Sequence, residues 1–166
     1  AAAMASLNAG DEVILFEPYY GYHLNTLKVL GIVPKFVPLQ LPDWSIDFDM
    51  LRAAFGPKTR GIVVCTPSNP CGKVFTREEL EQIAALCREH DAWCYTDEIY
   101  EYIVYDGRRH LSMASVDRDV AVTISGFSKT FSVTGWRIGY VAAPKRVAQS
   151  IGLVNDLFYV CAPAPL

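Results

Sequence analysis

Short apolar runs and longer amphipathic stretches alternate along this chain. Glu12 to Phe16 (EVILF) is apolar and stops at Pro18, which predicts a strand. Tyr20 to Leu30 predicts a helix closed by Gly31, and Pro34 to Leu39 a short, proline-flanked second strand. Asp47 to Phe55 reads as a helix with Asp47 as its N-cap. Gly61 to Thr66 (GIVVCT) is almost wholly apolar, as in a parallel strand buried on both faces. Thr76 opens a long helix to His90, with Glu79 three residues on to complete a capping box. Ala92 to Asp97 is a further strand, Val120 to Ser125 a third buried one and Arg137 to Ala142 a fourth, before a helix from Lys145 to Phe158. Strands alternating with helices give an α/β fold with a mostly parallel sheet flanked by helices.

Composition narrows the function classes. The 166 residues suffice for one domain with a real core, and no repeat or low-complexity linker divides them. Net charge is −3 without a basic stripe, which argues against nucleic-acid binding. No apolar run reaches the length of a membrane span. The cysteines, Cys65, Cys71, Cys87, Cys94 and Cys161, lack CxxC spacing and point to reduced, mostly buried thiols of a cytosolic protein. Neither they nor His23, His90 and His110 have metal-ligand spacing, so no metal is expected. The opening AAAMASLNAGDEV lacks the basic start of a signal peptide and reads as the end of a helix closed by Asn8 and Gly10, so that the amino terminus looks cut. The final CAPAPL stops as abruptly.

The chemistry concentrates in residues 125 to 140, SGFSKTFSVTGWRIGY. Lys129 stands among small and hydroxyl residues, with Arg137 downstream and Gly126, Gly135 and Gly139 around them. A reactive amine beside a fixed cation suits an aldehyde cofactor with a phosphate tail: the amine condenses with the aldehyde and the guanidinium pairs with the phosphate. Pyridoxal 5'-phosphate meets that description. Its demand for a partly neutral amine calls for desolvation of Lys129 and for Arg137 nearby. Asp97, ending the strand AWCYTD, supplies a carboxylate that would keep a pyridine nitrogen protonated. Asn69 follows GIVVCT in a turn made by Pro70 and Gly72, and Lys129 follows VAVTIS. All three sit at carboxyl ends of predicted strands, where open α/β sheets bind ligands. Tyr100, three residues after Asp97, offers a phenol; Tyr19, Tyr20 and Tyr22 offer an aromatic face; Ser125 and Ser128 offer hydroxyls to phosphate. Each also has an ordinary use: a surface lysine, a turn-capping aspartate, core tyrosines, serines bonded locally. Glu98, Trp93 and Trp136 read as framework.

These residues resemble those of the class I/II aminotransferases of fold type I. GFSKTFSVTGWRIG is similar to the family's lysine-attachment signature, and TPSNPCGKVFTREEL and YTDEIYEYIVYDG to two further segments in the family's order, so that the resemblance spans essentially the whole chain. It implies that Lys129 holds pyridoxal 5'-phosphate and shuttles a proton, that Asp97 pairs the ring nitrogen, and that Asn69 and Tyr100 bond the ring's phenolic oxygen. It implies Tyr20 at the ring-stacking position, Arg137 at the phosphate, and Ser128 or Ser125 assisting there. The reaction would be ping-pong transfer of an amino group from an amino acid to a 2-oxo acid, in a cytoplasmic homodimer.

Members of that family are more than twice as long. The phosphate-cradling helix start, the amino-terminal substrate segment and the carboxyl-terminal small domain with its substrate-carboxylate arginine have no counterpart here. The expectation is therefore one partial cofactor-binding large domain over residues 1–166, inactive by itself. Two alternatives stay open: a lyase of the same fold, such as one cleaving carbon–sulfur bonds, and a non-catalytic sensor domain, which would need a DNA-binding segment upstream.

Overall fold

A computed structural model describes residues 1–162. The elements run α1 (Ala2–Ser6), β1 (Glu12–Glu17), α2 (Gly21–Val29), β2 (Val33–Pro38), α3 (Phe48–Ala54), β3 (Thr59–Cys65), α4 (Arg77–Glu89), β4 (Trp93–Asp97), α5 (Met113–Val116), β5 (Ala121–Gly126), β6 (Gly139–Ala142) and α6 (Lys145–Tyr159). They build one six-stranded sheet in the order β2-β1-β3-β4-β5-β6, parallel except for the β5–β6 pair.

Alternation along each strand divides the core between the two faces. Ile14, Phe16, Ile62, Val64 and Cys94 pack with Leu51, Leu80 and Ile83 under α3, α4 and α5. Val13 and Leu15 pack with Leu27 of α2, while Tyr95 and Val122 pack with Ala2 of α1 and with Val147 and Ile151 of α6. The chain steps from β1 to β2 in one direction and from β3 to β4 in the other. Right-handed crossovers then send α2 and α4 to opposite faces. The reversal opens a crevice at the carboxyl ends of β1 and β3, the place where such sheets bind ligands.

The two predicted caps form. Asp47 Oδ1 accepts from the Asp49 and Met50 amides at 3.0 and 2.9 Å. Thr76 Oγ1 accepts from the Glu79 amide at 3.2 Å while Glu79 Oε2 accepts from the Thr76 amide at 2.9 Å. Glu79 also takes an ion pair at 2.7 Å from the buried Lys73, fastening the turn before α4 to the helix.

The stretch from Arg137 to Ala142 departs from its expectation. It is not a fourth buried strand: β6 begins at Gly139, runs antiparallel at the sheet edge and is mostly exposed. With a neighbour on one side only, its apolar residues have little to pack against. Arg137 lies before it in the left-handed region, at φ 53°. Trp136, read as framework, is half exposed. Cys87 and Cys94 are buried, Cys65 and Cys71 partly so, and Cys161 is exposed; all five are free. Among the described residues no helix is long and apolar enough to cross a membrane.

Thr76→Ala removes the hydroxyl half of the capping box and should lower unfolding stability by about 1 kcal/mol, with Thr76→Ser close to wild type. Urea unfolding followed by circular dichroism measures both, and equal midpoints for Thr76→Ala and wild type would show the cap to be idle.

Candidate active site

Asp97 is the last residue of β4, and alternation turns its side chain toward α2. Its Oδ2 lies 2.9 Å from Nε2 of His23 in the first turn of α2, and its Oδ1 accepts from the Ile99 amide at 3.3 Å. Since an ionised carboxylate only accepts, His23 Nε2 donates. Tyr20, just before α2, stands edge-on to His23 with ring centroids 5.5 Å apart. Tyr20, His23, Asp97 and Ile124 share a cavity of about 290 Å³ with Leu27, Val63 and Tyr95. Partial desolvation first, then the negative charge that Tyr22, Tyr100 and Asp97 bring, hold the Tyr20 phenol above its usual value; the Arg137 guanidinium pulls the other way.

Asn69 lines a narrower crevice together with Tyr20, His23, Cys65, Ser68 and Phe75. Its turn is closed by Ser68 N–H to the Lys73 carbonyl and by Gly72 N–H to the Ser68 carbonyl, each at 2.8 Å. The predicted turn therefore exists, and Gly72 takes the positive φ of 72° that it needs.

Lys129 lies on the loop after β5, with Nζ 5.9 Å from the centroid of the Tyr100 ring. It is exposed, so the desolvation expected for its amine is not supplied by the described residues. The loop's two ends are drawn together by glycines: a Cβ on Gly126 would meet the Ile138 carbonyl at 2.8 Å, and one on Gly139 the Ser125 carbonyl at 2.9 Å. Within the loop Thr134 Oγ1 donates to the Ser128 carbonyl at 3.0 Å, and Arg137 Nη1 to the Thr134 carbonyl at 2.9 Å. Ser125 is otherwise engaged. It is buried, and its single hydroxyl proton is shared between the Glu98 carbonyl at 3.3 Å and Glu101 Oε1 at 3.1 Å.

The structure thus groups Tyr20, Asp97 and Asn69 around α2's amino-terminal end, and Lys129 with Tyr100 beside them. Sequence reasoning missed His23. The signal available was its place three residues after Tyr20, which turns it back toward the strand ends if a helix starts there.

Comparison with known proteins adds an independent finding. The sequence model of the family described as "Aminotransferase class I and II" matches residues 1–166. The kynurenine--oxoglutarate transaminase 3 of Rattus norvegicus is 39% identical over 97% of this chain and 38% of its own length. Among solved structures, the aspartate aminotransferase from Thermus thermophilus with maleate has a TM-score of 0.92 at 36% identity, covering 98% of this chain and 42% of that one. The aromatic aminotransferase from Pyrococcus horikoshii OT3 has a TM-score of 0.92 at 35% identity, covering 97% and 44%. The chain spans about two fifths of the length of these proteins.

Cys65 ends β3 beside Asp97, its register partner on β4. Desolvation, aided by the Asp97 charge, pushes its thiol up from 9.0 to about 12. The unfolded chain releases this proton first, so folding stability falls as pH rises between those values, by at most about 1.4 kcal/mol per pH unit. Cys65→Ala should flatten that slope in urea unfolding across the window. An unchanged slope would show that the thiol does not titrate differently on folding.

Proposed function

Because the chain belongs to the class I and II aminotransferases, we propose that it forms the cofactor-holding part of a pyridoxal 5'-phosphate-dependent enzyme that exchanges an amino group between an amino acid and a 2-oxo acid. The observation that carries this reading is the convergence of Asp97, Tyr20 and Lys129, from three separate segments, on the carboxyl end of one sheet. The family uses pyridoxal 5'-phosphate generally, and the residues here suit it. Asp97 is a half-buried carboxylate whose position His23 fixes at one oxygen and the Ile99 amide at the other. The cavity it borders is of the size that small cofactors occupy, and Tyr20 offers it an aromatic face.

When bound, pyridoxal 5'-phosphate supplies an aldehyde and an electron-accepting ring. Lys129 would hold the aldehyde, and its amine, once displaced by a substrate amine, would move the proton at the substrate Cα. Asp97 would keep a proton on the ring nitrogen, its own charge steadied by His23. Tyr20 would cover one ring face, and Asn69 and Tyr100 would bond the ring oxygen. Arg137 would meet the phosphate by turning its guanidinium from the Thr134 carbonyl, with the Ser128 hydroxyl beside it. The assembly expected is a homodimer of a longer polypeptide, in the cytoplasm, of which residues 1–166 are one partial large domain. The named relatives suggest amino-acid substrates of the kynurenine, aspartate or aromatic kind. The lyase and sensor readings have no observation in their favour.

Adding pyridoxal 5'-phosphate to the chain should produce an absorbance band that Lys129→Ala lacks. Borohydride reduction and peptide mapping should then place the pyridoxyl mass on Lys129. A band that survives Lys129→Ala, or an adduct on another lysine, would overturn the assignment of that residue. A band of the expected kind with pyruvate released from a sulfur-containing amino acid would move the reaction to the lyase class.

A further inference from the structure

Glu98 follows Asp97 and, by the same alternation, points to the opposite face of the sheet. There it is almost fully buried, with 3% of its side chain exposed, yet its carboxylate is saturated with donors. His110 Nε2 reaches Oε2 at 3.0 Å, while Ser112 Oγ and the Met113 amide reach Oε1 at 3.0 and 3.2 Å. The two ends of residues 98–113 are thereby tied to each other through one side chain. Between them the loop is tied at Glu101, whose Oε1 accepts from the Ser125 and Tyr140 hydroxyls at 3.1 and 3.3 Å, while Tyr102 and Tyr105 are largely exposed and the tip turns through Asp106 and Gly107 at positive φ.

His110 shows that this tie costs something to keep. Its side chain is 10% exposed, and Nδ1 is buried without a hydrogen-bond partner. A carboxylate that only accepts requires a proton on Nε2, and Nδ1 is left unpaired on the other side of the ring. Buried polar atoms are rarely left so, and each instance asks for a reason. The reason lies at the near end of the loop. Glu98 also bonds the Glu101 amide through its carbonyl at 3.0 Å, and the Ile103 amide bonds the Tyr100 carbonyl at 2.7 Å. The residue enclosed by this turn is Tyr100, whose ring faces Lys129.

We propose that Glu98 and His110 are positioning residues: they clasp the return of the 98–113 loop to the core and so fix where the Tyr100 ring stands against Lys129. This rests on the reading of Tyr100 and Lys129 as cofactor-facing groups. Asp97 and Glu98 then divide one strand end between two tasks, the first toward the cavity and the second toward the loop that frames it.

Two measurements on the full chain test the clasp. In the cofactor-free chain, amide hydrogen exchange at Glu101 and Ile103 should quicken roughly tenfold in His110→Ala, with α4 amides unchanged. His110→Gln, which keeps an N–H donor of similar reach, should restore the wild-type rate. Unchanged rates at Glu101 and Ile103, a uniform rise that includes α4, or no rescue by His110→Gln would overturn the clasp. With pyridoxal 5'-phosphate added, the pH midpoint of the Lys129-dependent band should shift in Tyr100→Phe and in His110→Ala, and the double variant should match Tyr100→Phe alone. Additive shifts would show that His110 does not act through Tyr100. Should the wild type form no such band, the cofactor reading fails, and the exchange comparison still decides the clasp.

Discussion

The end of β4 is the constraint on which the site depends. In a strand, neighbouring side chains face opposite ways, so Asp97 and Glu98 cannot serve the same side of the sheet. Asp97 reaches over the α2 face and Glu98 over the α5 face, and each carboxylate meets a histidine, at 2.9 and 3.0 Å. A slip of one residue in β4 would exchange the two carboxylates and separate both pairs. Register is protected against that slip. Cys94 and Tyr95 are buried on opposite faces in different clusters, and Thr96 bonds the neighbouring strand's Thr123 at 3.2 Å inside the sheet.

The same logic explains which parts of the molecule could be read from the chain. Asp47, Thr76 and Glu79 act through backbone groups two or three residues away, so their signals are local and survive in the sequence. The doubly buried strands announce themselves by unbroken apolar runs, as Ile62 to Val64 do. His23 and Asp97 are 74 residues apart, and nothing local in either segment names the other. They meet because the chain reverses direction between β2 and β3, and that is a property of the topology. Arg137 to Ala142 misled for the converse reason. Its composition is that of a buried strand, but composition does not record that β6 has a single neighbour.

The loop that carries Lys129 is held from outside itself. Its own bonds, from Thr134 Oγ1 to the Ser128 carbonyl, from Arg137 Nη1 to the Thr134 carbonyl and from the Ser132 amide to the Lys129 carbonyl, are short-range, and the last holds the lysine by its backbone. What fixes its endpoints is the approach of the β5 and β6 backbones at Gly126 and Gly139, a spacing that excludes a side chain at either position. Ser125 adds a second restraint: its buried hydroxyl joins the end of β5 to Glu98 and Glu101. Glu101 in turn accepts from the Tyr140 hydroxyl on β6 at 3.3 Å. The lysine loop and the Tyr100 loop are therefore stitched together at their roots.

The two carboxylate–histidine pairs share a chemistry and differ in their access to solvent. The His23–Asp97 side chains keep 18% and 21% of their surface exposed, at the edge of a cavity. The His110–Glu98 side chains keep 10% and 3%, and their ring ends on an unpaired nitrogen. On the proposed reading Asp97 must stay open to the cavity it borders, and His23 meets it at one oxygen without closing that cavity. A group that only holds a loop has no such need, and burial makes its bonds stronger by removing competing water. The same carboxylate–histidine pairing, set one residue along the strand, is thus turned from the edge of an open cavity to a buried tie by the pleat of β4.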